Sequence, residues 1–456
     1  MRRSPMKTDG KTWLLGAAAV LFAVTAVGRL AAEPKTASAA ERVELPSPAL
    51  EHAFAENRPG KVGDGRYYTP FYGYVISPHA VVAEGKVFCA FQNAVGQPIV
   101  MAYDVAEKRW AGPVKASEQG LGGRDAHGNP SLCIDSKGYL HVFYGCHGGA
   151  MRHTRSARPY DIAAWQEQEP PTPRATYPQT MRMADGTICL LYRAGGHMEP
   201  WSLRTSEDDG RSWSPAEKVI EMRLDPPDRL AAAYCQFFPG SGDETIHCFW
   251  NHKDDNAARV SATRPHPWRP LKYPGLHEAV YRYNVYYIRR DADGTWRNAA
   301  GEAVALPVSK AEADAKCLAY DSGDEFTFVG SNVAVDKADR PYVRFGTGVM
   351  DWVRLGKEPE GAEKSKAIIV PRTDRFAAFA DGKWQVTREL PGDWPADVRR
   401  IVVAPGSLAH GDEWPGGHWF ITASRRPTKP GVGCAVLLLH DEAGFATSEG
   451  GPALVK

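Results

Sequence analysis

The chain has 456 residues and a formal net charge of +1, a balance that argues against nucleic acid as a partner, which calls for a basic patch or stripe. Eight cysteines are too sparse for a disulfide scaffold at this length. Thirteen tryptophans and eighteen tyrosines suit a large β core, and also a protein that handles sugars.

In chain order, the first element is a leader. Arg2, Arg3, Lys7 and Lys11 precede an apolar run from Trp13 to Val27, and small residues end in Ala37-Ser38-Ala39. This is the three-part pattern of a secretory signal over residues 1–40, with cleavage near Ala39 or near Ala32. Retained, it would act as an anchor, although the run is shorter than the about 20 residues a span requires. No later stretch is long and apolar enough to cross a membrane. Residues 41–456 are expected to form one secreted or periplasmic domain, acting as a monomer.

Helical periodicity is nearly absent beyond the leader. Runs of four to eight strand-forming residues alternate with Asp, Gly, Asn and Pro turns. Hairpins are expected around Lys137, Asp185, Gly242, Asp293, Asp336 and Asp381, and the charged stretch Leu355 to Lys366 reads as an inter-strand loop. The turns near 137, 185 and 242 recur at a period of about 50 to 60 residues, which argues for a β-propeller of about seven blades. The predicted class is therefore all-β, a seven-bladed propeller in a single domain. Ser206-Glu207-Asp208-Asp209-Gly210-Arg211-Ser212-Trp213 fits the Asp-box pattern, in which the acid and glycine build a turn and the tryptophan packs beneath it. Asp208 is expected to be structural.

Chemistry gathers at the open ends of two hairpins. His127 and His147 lie ten residues either side of Lys137, so a continued antiparallel ladder would set them opposite one another. Tyr177 and Arg193 each lie eight residues from Asp185. A base, an acid and a fixed positive charge at one place are what β-elimination beside a carboxylate needs. Histidine titrates near neutrality, and arginine grips a carboxylate with two parallel bonds. Asn129, Arg204, Trp250 and Arg282 are candidates for binding sugar rings or sulfates. Each has a plainer reading as a packing or surface residue.

Cys235 and Cys248 flank the third turn symmetrically about the Ser241–Gly242 bond, and His252 falls on the same strand face as Cys248. A cross-strand disulfide, a structural zinc site drawing on these three, with His247 nearby and His277 as a weak fourth ligand, and two buried free thiols all remain open. No organic cofactor is indicated.

The stretch from about Arg124 to Trp213 resembles the BNR-repeat family of secreted propellers, and within it ulvan lyases. The resemblance is carried by His127 in HGNP, His147 in YGCHGG, Tyr177 in TYP, Arg193 in LYR and the Asp box. It implies that a histidine and a tyrosine serve as base and acid, that Arg193 neutralises a uronate carboxylate, and that zinc is favoured at the cysteine hairpin. The expected function is an exported polysaccharide lyase acting on a uronate-containing, ulvan-like anionic glycan. The alternatives are a sialidase-like glycoside hydrolase and a non-catalytic carbohydrate-binding propeller.

Overall fold

Short strands that alternate or run wholly apolar must find partners on both edges and both faces, and here they do so by stacking into a ring. The computed structural model describes residues 41–44, 75–93, 95–121, 125–223, 231–254, 282–323, 325–350, 369–412, 417–424 and 435–441. The predicted signal (1–40), the loop Leu355 to Lys366 and His277 lie outside these. Among the described residues are six antiparallel-built sheets of four or five strands. Helix among the described residues is limited to a few short turns and Ala396–Val403.

Each sheet is a blade. Its first strand runs along the inside of the ring: Ala80–Ala83, Ser131–Ile134, Ala175–Arg182, Ala231–Pro239, Phe326–Val335 and Ser407–Leu408 in blades one to six. These strands contact one another in succession, and Ala80–Ala83 meets the sixth blade and pairs in parallel with His410–Gly411. Later strands step outward. In blade six the outermost strand comes from the other end of the chain, because Glu41–Glu44 pairs with Ala435–His440.

The blade count differs from the seven expected. Inner strands begin at 80, 131 and 175, close to the hairpin period, but then at 231, 326 and 407. Blade four carries residues 255–281 between two adjacent strands and a further excursion from Trp296 to Tyr320, and blade five carries 351–368 likewise. Dividing the length by a period set in the first half therefore counts one blade too many.

Apolar side chains from facing sheets fill each seam. Val100, Leu132, Leu140 and Val142 join blades one and two, Phe143, Cys146, Leu190 and Tyr192 join two and three, and Trp201, Cys235, Phe237 and Trp250 join three and four. Helix Ala396–Val403 supplies Val398, Val402 and Val403 against Tyr342 and Phe376 of blade five, while Ile401 packs both there and against Phe420 of blade six.

The Asp-box expectation holds. Asp208 Oδ1 accepts from the Arg211 and Ser212 amides at 3.1 and 2.9 Å, and Ser212 Oγ donates to Oδ2 at 2.6 Å. These bonds, with little opposing burial, hold the carboxyl down at about 2. Trp213 meets Phe143 of blade two edge-on at 5.7 Å. Next to it, Asp209 accepts from Ser136 Oγ at 2.8 Å and pairs with Lys137, which ties the turn to the preceding blade.

Candidate active site

The inner strands of blades two and three both enter from one rim of the ring, and the site forms there. Ser131 pairs with Phe143, and the ladder ends at that point. Beyond it, Asp125 caps the single 3-10 turn Ala126–Gly128, its Oδ1 accepting from the His127 amide at 3.0 Å. His147 opens the edge strand His147–Gly149, which pairs with Thr176 of blade three. The two histidines still meet as the symmetric spacing predicts, but by another route. Their rings stack at 3.9 Å with planes 10° apart.

Tyr177 and Arg193 are displaced from the predicted pairing by one residue. Gln179 opposes Leu191, yet Thr176 opposes Arg193, so the strand bulges between them. Tyr177 sits in that bulge, just before Pro178, with φ of 62°. This turns its ring to within 5.2 Å of the His127 ring and under the Arg193 guanidinium, 4.7 Å from the ring centroid. Trp201, opposite Arg193 on the next strand, stacks on Tyr177 at 6.1 Å. Arg193 is 2% exposed, and its Nε and Nη1 have no hydrogen-bond partner among the described residues. A buried guanidinium without a carboxylate is costly unless an anion arrives. His127, His147, Tyr177 and Arg193 are thus brought together.

The residue types found only by folding are Asp125, Tyr234, His197 and Lys253. Asp125 Oδ1 lies 2.5 Å from His127 Nδ1 and Oδ2 lies 2.6 Å from His147 Nδ1. Partial burial disfavours its charged form, but the hydrogen bonds from both imidazoles outweigh this and hold the carboxyl well below its usual range. The Asp-x-His spacing in RDAHGNP was the available signal for it. Tyr234 stands 6.0 Å from Tyr177, and among the described residues Arg282 at 4.3 Å, Lys253 at 5.7 Å and Arg193 at 5.8 Å approach its ring. Lys253 is buried, with Nζ 3.1 Å from His197 Nε2. No local pattern links Tyr234, His197 and Lys253: Tyr234 and Lys253 lie on neighbouring strands of blade four, and His197 follows a strand of blade three.

The other predicted substrate contacts fall elsewhere. Asn129 is fully buried and donates to the Ala126 carbonyl at 2.9 Å, bracing the turn that carries His127. Trp250 is in the seam between blades three and four, 0% exposed and stacked on Tyr286 at 5.2 Å. Arg204 opposes Leu190 partway down its strand, away from the Trp201 end that reaches the site.

The predicted zinc set does not assemble. Cys235 opposes Trp250, and Phe237 opposes Cys248, so the cysteines are diagonal neighbours and not cross-strand partners. The turn centres one residue later than the symmetry suggested. Both thiols are free and fully buried. Burial pushes Cys235 well above its usual range, with Cys248 beside it adding to the rise. His252 shares the face of Cys248, but four residues along a strand span about 13 Å, far more than one ion can bridge. Among the described residues, the group whose ligand atoms fall within 4.8 Å of one another is Asp125, His127 and His147. There the carboxylate already accepts a hydrogen bond at each Nδ1.

The rim of the propeller thus gathers two stacked imidazoles, a phenol and a buried arginine whose Nε and Nη1 have no hydrogen-bond partner among the described residues. A model of the BNR repeat-containing family matches residues 86–350. The chain belongs to that family. It is 31% identical over 307 residues to an ulvan lyase of Alteromonas sp. (strain LOR), covering 61% of this chain and 60% of that protein. It is 30% identical over 307 residues to Ulvan Lyase-PL25 of Pseudoalteromonas sp. (strain PLSV), covering 61% and 59%. The matched region thus spans about 60% of the length of these relatives. Its fold is similar to that of a solved PL25 ulvan lyase, with a TM-score of 0.61 at 24% identity over 83% of each chain. It is also similar to that of the polysaccharide lyase Uly1, with a TM-score of 0.56 at 13% identity over 88% and 98%.

Proposed function

We propose that this protein is an exported polysaccharide lyase that cleaves a uronate-containing, ulvan-like glycan by β-elimination. The observation that carries the reading is the buried, unpaired Arg193 set against Tyr177, with the stacked histidines alongside. In this reading Arg193 binds the uronate carboxylate in two parallel bonds and stabilises the charge that builds there when C5 loses its proton. His127 takes that proton on its imidazole. The electron pair of the C5–H bond becomes the C4–C5 double bond, the C4–O4 bond breaks, and Tyr177 gives its proton to O4. Tyr234, with Arg282 and Lys253 at its faces, extends the positive surface for further acid or sulfate groups of the polymer. No step uses an organic cofactor.

The relatives named ulvan lyase support the substrate class. Export rests on the signal pattern alone. Among the described residues no helix is long and apolar enough to cross a membrane.

The deciding experiment is digestion of uronate polysaccharides with the purified protein. Elimination leaves a C4–C5 unsaturated uronate at each new non-reducing end, which absorbs in the ultraviolet, whereas hydrolysis leaves a saturated end. Chain shortening with growth of that absorbance is the expected result. Shortening without it assigns the hydrolase activity instead, and binding without shortening assigns a carbohydrate-binding module.

A further inference from the structure

Asp125 lies at the site without any of the chemistry above having used it. It is half-buried at the entry to blade two, while His147 belongs to an edge strand of blade three. Its two oxygens are divided: Oδ1 to His127 Nδ1 at 2.5 Å, Oδ2 to His147 Nδ1 at 2.6 Å. Oδ1 also accepts from the His127 amide, which fixes the carboxylate relative to the backbone of the turn. A carboxylate can only accept, so each of these bonds requires a proton on Nδ1. Each ring is then held in one tautomer, with Nε2 as the nitrogen that can exchange a proton with substrate.

We propose that Asp125 is the positioning residue of this site, one carboxylate that sets the tautomer and the stacked orientation of both His127 and His147. Face-to-face imidazoles 3.9 Å apart have no fixed orientation of their own. The bonds to one shared carboxylate supply it. Because His147–Gly149 pairs with Ala175 and Thr176, the same carboxylate also fixes the histidines against the strand that carries Tyr177. The kinetic part of this inference rests on the lyase reading. The tautomer part does not.

The test uses the full-length protein with ¹⁵N-labelled histidine, with the two signals assigned through His127→Gln and His147→Gln. In the wild type both rings should give the spectrum of the Nδ1-protonated tautomer. Asp125→Asn keeps the shape but leaves one acceptor oxygen where there were two, so at least one ring should shift toward the Nε2-protonated form. Turnover should fall about 10- to 100-fold, as when the partner that orients a functional histidine is removed, while KM stays within about twofold because substrate contacts remain. Asp125→Glu, which restores two acceptors, should recover part of that loss. Should Asp125→Asn not fold, the wild-type spectrum with Asp125→Glu decides the matter. Wild-type rings in the Nε2-protonated form, unchanged tautomers in Asp125→Asn, or a rise in KM at constant kcat would each overturn the proposal. So would Zn²⁺ at stoichiometric amounts displacing both Nδ1 protons and raising turnover, since the triad would then be an ion site. A wild type that forms no unsaturated product would defeat the lyase reading and leave the tautomer result standing.

Discussion

Tyr177 adopts a left-handed backbone immediately before a proline, a position where both the side chain and the following ring disfavour that conformation. Such strain persists only where the surroundings over-determine it. Here Trp201 stacks on one side, Arg193 covers the ring and the bulge fixes the strand. Tyr177→Phe removes only the hydroxyl, so the melting temperature should barely move. Turnover on a uronate polymer should drop at least about 10²-fold with little change in KM, since general acid–base groups contribute about 10²–10⁴-fold. A variant that keeps wild-type rates would take the proton-transfer role away from Tyr177. Trp250→Ala tests the opposite kind of residue. As a fully buried aromatic it should cost about 3–5 kcal/mol in denaturant unfolding, with KM unchanged in whatever fraction stays folded. At this scale the sequence was informative wherever spacing about a turn survives folding. His127 and His147 were found by symmetry even though no ladder joins them. Tyr177 against Arg193 was off by one because a bulge leaves no mark in a period-two pattern. The cysteine register slipped because a turn of several polar residues can centre in more than one place. Asp125 acquires its second role only from His147, which belongs to blade three, and Tyr234 acquires its place only from residues distant in sequence.

The turns between strands do more than reverse the chain. Asp135, at the tip of the first hairpin of blade two, binds His141 Nε2 at 3.1 Å, and His141 Nδ1 reaches His153 Nε2 at 2.8 Å on the next strands. Phe143 stacks on His153 at 4.3 Å, and the Asp-box turn closes over the pair, with Gly210 so near His141 that a Cβ there would sit 3.0 Å from its ring. Burial drives both histidines below their ordinary value, and desolvation takes the half-buried His410, in another blade, down to about 4. The unfolded chain takes up these protons near pH 6.5, while the folded chain resists them. Unfolding therefore binds protons below pH 6.5, and this contribution to stability is present above that pH and lost progressively as the pH falls. Thermal melts between pH 7 and pH 5 should show a falling midpoint, with most of the slope below pH 6.5. A midpoint that is flat or rises on acidification would contradict the buried neutral pair. The Asp box was legible because its turn depends on adjacent residues. The histidine chain was not, because it joins a turn residue to positions on two strands and looks in sequence like ordinary polar breaks in a β pattern.

The propeller class followed from hairpins recurring without helices, and that level of organisation tolerates much variation in loops. The count of blades does not, since every insertion inflates a number obtained by division. Closure rests on a different fact, the pairing of Glu41–Glu44 with Ala435–His440 in a register of four residue pairs. Removing residues 1–44 should leave five blades intact and the sixth missing its outer strand. At about 0.5–1.5 kcal/mol per net hydrogen bond, the loss should be on the order of 2–5 kcal/mol, read as a lower denaturant midpoint. An unchanged midpoint would mean that blade six stands without that strand. The same pairing sets a timetable for synthesis. A chain made from its amino end holds Glu41–Glu44 without its partner while the blades behind it are translated, and the circle can be sealed only when the segment Ala435–His440 has left the ribosome. Until then blade six lacks its outer strand, so the first strand in the sequence cannot take its place before the last one has been made.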